Sequence, residues 1–403
     1  MADVYLTIPP QSQTVAHRWR TGIQKAVNGQ EKRSALLTWP RVILRNMITP
    51  TGSREINWLK RKIIKYADAL WGIPIWADKT ELTAPAASGQ KILAVAATAD
   101  RHFYADRQCV IADPADPLSY EVGTIDVLAA QQITLVANLG ATWPSGSWVL
   151  PLYEFRIAAD QEVSRRQSNR REIEFEATEE YEMARSFSYA LPASGAPTYL
   201  DPPIDLFLHP PEESTTDKYS RPYDLVQFLG LGYAASRYAA GENAIGMKMK
   251  LVRPSRAEIW ETLNFFDACQ GRLQRFWAPS WSRDLVVTAA VLVTDTVLTV
   301  ENIDYETHYL TNEVVGRHVY IEFPGGTYAC RKITAADDDA PSVTLDSAIG
   351  TAVPAAQLER LLISFLNLSR FDLDELAVDY PLGGGDYGQM DLSVMGLVEE
   401  TPT

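Results

Sequence analysis

The spacing of apolar residues along this chain changes in a fixed order, and the order occurs twice. Residues 34–48 form an extended apolar-rich run interrupted by Pro40. Proline cannot donate to a sheet ladder, so this run predicts an edge strand or a bulge. Residues 54–70 switch to helical spacing, with Ile56, Leu59, Ile63 and Ala67 on one face and Arg54, Lys60, Arg61, Lys62 and Lys65 on the other. Ser53 is placed to cap this helix, and Gly72 with Pro74 to stop it. From about residue 80 to 157 the spacing becomes that of short strands, at 91–97, 108–112, 133–137 and 148–157, parted by turn-forming segments. Such runs predict a small sandwich or barrel. Residues 172–178 then alternate acidic with apolar, as a strand with one wet face does.

The second pass begins after a connector rich in Pro, Ala, Ser and Gly at 191–204. Residues 244–252 alternate Met247, Met249 and Leu251 with Lys248 and Lys250. Ser255 opens a helix carrying Ile259, Trp260, Leu263 and Phe266, which ends near Gly271. A β-rich stretch fills 285–370, with turns at 323–326 and 337–339. The tail repeats the closing strand and is expected to be ordered by a neighbouring subunit.

Local matches support the repeat. Tyr5-Leu6-Thr7-Ile8-Pro9-Pro10 answers to Leu206-Phe207-Leu208-His209-Pro210-Pro211. Pro74-Ile75-Trp76 with Asp78 answers to Pro279-Ser280-Trp281 with Asp284. Matching positions lie about 200 residues apart, and the gap widens slowly, as small loop insertions would make it. The expected architecture is mainly β (α+β). It has two tandem sandwich units, each with one flanking helix and an added small β module. The boundaries are 1–79, 80–160 and 161–200 for the first unit, then 201–284, 285–370 and 371–403 for the second.

Composition narrows the function. A hydrophobic share of 46% over 403 residues is ordinary for a folded chain. No run approaches ~18 apolar residues, so no membrane span is expected, and the first residues lack the pattern of a secretory signal. The net charge is −14, from 51 acidic and 37 basic residues. That argues against gripping a phosphate backbone, though not against a wall that nucleic acid slides past. Cys109, Cys269 and Cys330 have neither metal nor disulfide spacing.

Candidate chemistry is sparse. His17, His102, His209, His308 and His318 show no metal spacing and read as structural histidines. Asp337-Asp338-Asp339 lacks the ligand pattern of a calcium loop and reads as a solvated turn. Gly383-Gly384-Gly385 lacks the Lys-Ser/Thr of a phosphate cradle. No nucleophile elbow or zinc-protease signature occurs. The reading is therefore not an enzyme, with no catalytic residue, cofactor or metal expected. Trp71, Trp76, Trp277 and Trp281, in matched loops after the two helices, read as packing residues that seal the helix end onto the sheet. Arg165, Arg166, Arg170 and Arg171 read as a subunit interface, because Arg forks onto carboxylates. Glu172, Glu174 and Glu176 are candidates for a channel wall.

Phe265-Phe266-Asp267-Ala268-Cys269-Gln270-Gly271, then Phe276-Trp277-Ala278-Pro279-Ser280-Trp281 and Asp284, resembles phage distal tail proteins. Gly29-Gln30-Glu31-Lys32-Arg33 with Trp39-Pro40-Arg41 is similar to the opening of the same proteins and of gene-transfer-agent relatives, and Val394–Glu399 resembles their closing strand. The first half lacks the aromatic pair, having Tyr66-Ala67-Asp68-Ala69-Leu70-Trp71-Gly72, and relatives carry one unit where this chain carries two. The resemblance implies a structural ring between tail tube and baseplate or tail tip, through which DNA passes without being specifically bound. It implies a homo-oligomeric ring, either a trimer with pseudo-sixfold symmetry or a hexamer. The expected partners are the tail tube protein and the baseplate hub or tail-tip proteins, in a virion assembled in the bacterial cytoplasm. The alternative is a tail-tip module that binds carbohydrate or a host receptor, or attaches fibres, through the inserted β modules.

Overall fold

The computed structural model describes residues 4–25, 31–50, 52–66, 69–157, 163–167, 170–180, 191–212, 215–220, 223–227, 234–238, 244–310, 315–381 and 385–397. In the first half, β1 (Val4–Tyr5), β2 (Pro10–Arg18), β3 (Thr21–Lys25), β4 (Glu31–Ala35) and β5 (Arg41–Ile48) lead to α1 (Ser53–Lys65). Then come β6 (Trp71–Pro74), β7 (Thr80–Glu81), β8 (Ile92–Ala94), β9 (Gln108–Ala112), β10 (Tyr120–Ala129), β11 (Gln132–Leu135), β12 (Trp148–Ile157), β13 (Val163–Gln167) and β14 (Arg170–Glu179). After β15 (Thr198–Tyr199) and β16 (Ile204–Asp205), the second half runs β17 (Thr215–Ser220), β18 (Tyr223–Gln227), β19 (Ala234–Tyr238) and β20 (Ala244–Arg253), then α2 (Arg256–Ala268). It closes with β21 (Phe276–Pro279), β22 (Val297–Thr299), β23 (His318–Glu322), β24 (Tyr328–Asp337), β25 (Ser342–Leu345), β26 (Leu362–Phe371), β27 (Glu375–Tyr380) and β28 (Gly388–Gly396).

The protein is mainly β, and its dominant sheet is antiparallel. The pairings of the two halves run in the same order. β2 pairs with β5, β5 with β14, β14 with β12 and β12 with β6. Correspondingly, β17 pairs with β20, β20 with β28, β28 with β26 and β26 with β21. Each half also has a hairpin arm, β3–β4 or β18–β19, between its first two sheet strands.

One pairing fuses the halves. β27 of the second half lies antiparallel to β2 of the first, with Gln13 opposite Tyr380 and Arg18 opposite Glu375. The resulting sheet runs β14, β5, β2, β27, β28, β20, β17 without a break. Beneath it a shared core joins Val15, Trp19, Leu44 and Ile73 to Phe207, Ile259, Phe266 and Phe276. Each β module has its own core, around Leu93, Ile111 and Ile133 in the first and Leu298, Ile321 and Val343 in the second.

Several elements differ from the sequence-based expectation. α1 ends at Lys65, since Tyr66 leaves helical geometry (φ −125°, ψ 35°). Its carbonyl accepts the Trp71 indole N–H at 3.0 Å, so the chain turns before residue 70. Ala67 lies outside the described residues. Ser53 is the first helical residue rather than the cap, and Gly52 precedes it at φ 93°. Ser255 does cap α2, its Oγ accepting from the Glu258 amide at 3.3 Å. The tail strand is ordered within its own chain, because β28 pairs with β20 and β26.

Candidate assembly surfaces

The seam between the halves is the most elaborated part of the molecule. On the solvent side of the sheet, Arg45 binds Glu176 at 2.8 Å and Glu375 at 2.7 Å, and Arg18 binds Glu375 at 2.6 Å. Burial alone would raise the Glu375 pKa, but its bonds to Arg18 and Arg45 hold it below the usual carboxylate value. Asp374 accepts from the Thr21 amide at 2.8 Å and the Arg272 amide at 3.0 Å.

Beneath the sheet, four side chains from distant segments form a line of hydrogen bonds. Asp267 on α2 meets His17 Nδ1 on β2 at 2.8 Å, and Trp19 Nε1 donates to its other oxygen at 2.8 Å. His17 Nε2 faces His102 Nε2 at 2.8 Å, and His102 Nδ1 bonds Asp78. Arg256 of α2 donates to Asp78 at 2.7 Å. All four of His17, His102, Asp78 and Asp267 are at most 3% exposed.

The protons follow from the donor inventory. Ionised carboxylates only accept, so both Nδ1 atoms donate. The two Nε2 atoms face each other at hydrogen-bond distance, so one donates and the other accepts. His17 is set against Asp267 and Arg256 against Asp78, and buried charge is tolerated only when so paired. Desolvation would lower the His17 pKa, but the Asp267 carboxylate outweighs it and the net shift is upward. Desolvation would raise Asp78, yet His102 and Arg256 bring it down. The network ties first-half strand and loop to second-half helix, and its groups offer almost no surface to solvent. Among the described residues no His, Cys, Asp and Glu group is arranged to hold a metal ion.

Two glycines sit at this seam. Gly271, the glycine after the aromatic pair, has φ +63°, and a Cβ there would stand 2.8 Å from Asp374 Oδ1 and 3.1 Å from Trp19 Cβ. At Gly385 a Cβ would collide with the Arg256 guanidinium and the Ala77 carbonyl.

The sequence-marked residues divide among separate places. Trp71, Trp76 and Trp277 are buried, whereas Trp281 is half-buried and adopts φ +57°. Only Trp71 bonds the helix end. Trp76 packs on Val110, Leu150 and Leu152, and Trp277 sits with Leu206, Leu368 and the His318 ring. Glu172, Glu174 and Glu176 lie on β14, where Glu176 is tied to Arg45. Arg165 pairs with Arg171 across the β13–β14 hairpin, and Arg170 opposes Gln167. The side chains of Arg165, Arg166, Arg170 and Arg171 lie outside the described residues.

His102 joins His17, while His308 is exposed on a short helical turn (Glu306–Leu310). Asp338 accepts from two amides at the start of that turn, so the acidic triplet has a capping role. Nothing in spacing announces the His17–His102–Asp78–Asp267 network, whose members only the fold brings together. Burial pushes the Cys109 and Cys330 thiols up to about 12.

No protein-family model matches the chain, and no curated protein matches it in sequence.

Proposed function

We propose that this chain is a structural ring protein of a phage tail end, joining the tail tube to the baseplate or tail tip and leaving a passage for DNA. The observation that carries the reading is the β2–β27 pairing, which sets two halves of like strand order side by side in one continuous sheet. Repeated units that join edge to edge by unlike surfaces generate rings when the rotation closes. An old tandem duplication accounts for the matched pairings and the matched sequence signals together. Among the residues that carry the likeness to distal tail proteins, Asp267 and Gly271 lie at that same seam, against His17 and Trp19.

In this reading the solvent face of the sheet is the passage wall. Arg18 and Arg45 on it are bound to carboxylates, with Glu174, Glu176, Asp379 and Asp391 nearby, while Lys248 and Lys250 enter from β20. A wall of interspersed charge holds DNA weakly, since firm phosphate binding needs clustered free cations.

A second reading is confined to the β modules. Their exposed large hydrophobics are mostly aliphatic, Ile92, Val127 and Val136 on the first and Leu292, Val293 and Val297 on the second. Aliphatic surface favours contact with another protein over stacking on sugar rings. Gold-labelled antibody against the chain, applied to purified virions, tests the main reading. Labels at the junction of tail and tip support it, and labels on capsid or fibres, or none on particles, oppose it.

A further inference from the structure

We propose that β13 of one chain pairs with β17 of the next, repeating between chains the join that β27 and β2 make within one chain, and that three chains close the ring. The inference rests on the reading above, which supplies both the ring and the sixfold tube.

The halves share their pairing order but not their surroundings. In the second half the closing hairpin β27–β28 has its outer strand paired to β2. The corresponding strand of the first half, β13, pairs among the described residues only with β14. Conversely, β2 has strands on both sides, whereas its counterpart β17 pairs, among the described residues, only with β20. An open edge presents a row of unused backbone donors and acceptors, a template for another strand.

Two further differences point to the same missing neighbour. Following the pairings, Arg156 holds in β12 the position that Arg370 holds in β26, each opposite the penultimate sheet residue of its closing strand (Thr178 and Met395). Arg370 is 1% exposed because the arm β3–β4 of the first half lies over it and Glu31 binds it, whereas Arg156 is 53% exposed beside Glu180. The last turn of α2 buries Phe265 and Phe266 and ties Asp267 to His17 and Trp19 of the first half, and the last turn of α1 leaves Ile64 72% exposed. A neighbouring second half would cover β13, Arg156 and Ile64 together.

The register follows. With Pro74 and Trp76 matched to Pro279 and Trp281, the ladders carry Thr14 onto Thr216 and Asp379 onto Ser164. Within the chain Thr14 opposes Asp379, and its hydroxyl donates to that carboxylate. Between chains Ser164 therefore opposes Thr216, Val163 opposes Asp217 and Arg165 opposes Thr215. Each chain supplies both join types once, so rings alternate first and second halves, and three chains give the six units of a sixfold tube.

The test is a double variant, Ser164→Cys with Thr216→Cys, both exposed sites, oxidised and run on a non-reducing gel, with each single variant as control and circular dichroism to verify folding. The proposal expects a ladder of linked chains ending at three, absent from both controls. A ladder ending at six overturns the three-chain count. Rings visible by microscopy without cross-links, or a link formed inside single chains, overturn the β13–β17 join while leaving the ring reading standing. Neither rings nor cross-links overturns both.

Discussion

Arg370 of the second half grips Glu31 of the first through two bonds, Nε to Oε2 at 2.8 Å and Nη2 to Oε1 at 3.0 Å, with both side chains at most 3% exposed. Removing one partner of such a pair strands a buried charge, which typically costs ~3–5 kcal/mol. Arg370→Ala is expected to lose stability on that order in chemical denaturation. The double variant Arg370→Met with Glu31→Leu should lose clearly less, because no charge is left unpaired. Equal losses in the two would show that the ion pair is not the source of the effect.

Stability should fall as pH rises past neutrality. His17 has a raised pKa in the folded protein, so its contribution is full below about 6.5, the ordinary histidine value, and is lost as pH climbs through the folded value. Asp78 is lowered, so its contribution is present above about 3.9 and is lost as pH falls through its folded value. Denaturation midpoints across this range should form a plateau in the mildly acidic region and decline on the alkaline side. His17→Asn should flatten the alkaline decline; an unchanged slope would remove His17 as its cause.

Gly271 should resist replacement. Its φ of +63° and the close approach of Asp374 and Trp19 give Gly271→Ala both a backbone and a packing cost, together ~1–3 kcal/mol. Thermal unfolding reads this directly, and a wild-type midpoint would mean that the turn accommodates a side chain.

The tryptophans should separate by burial. Trp277 is fully buried, so Trp277→Ala should cost ~3–5 kcal/mol. Trp281 is half-buried with φ +57°. Its truncation should cost less, and Trp281→Gly should be at least as stable as Trp281→Ala, because glycine relieves the left-handed backbone. If alanine is the more stable of the two, strain at this position is negligible.

Much of the fold was legible because it lies in short-range pattern. The run at 148–157 and the cap at Ser255 follow from period and local chemistry. The mainly β class follows from many short strands bounded by turns. What was illegible is long-range. His17, His102 and Asp267 carry no mutual spacing, so the network appears only once β2 and α2 are brought together. The apolar period of the first helix continues past the point where Tyr66 turns out of it, so periodicity alone overestimates its length. The strand Tyr120–Ala129 gives little periodic signal because its burial is partial and its alternation weak.

The central claim, a ring built from alternating like halves, is tested most directly by native mass spectrometry of the purified full-length chain, with electron-microscopic class averages of the same sample. The account predicts a mass of three chains and an annulus with six similar lobes around an open centre. A single-chain mass that persists at high protein concentration, with compact particles lacking a central hole, would contradict it.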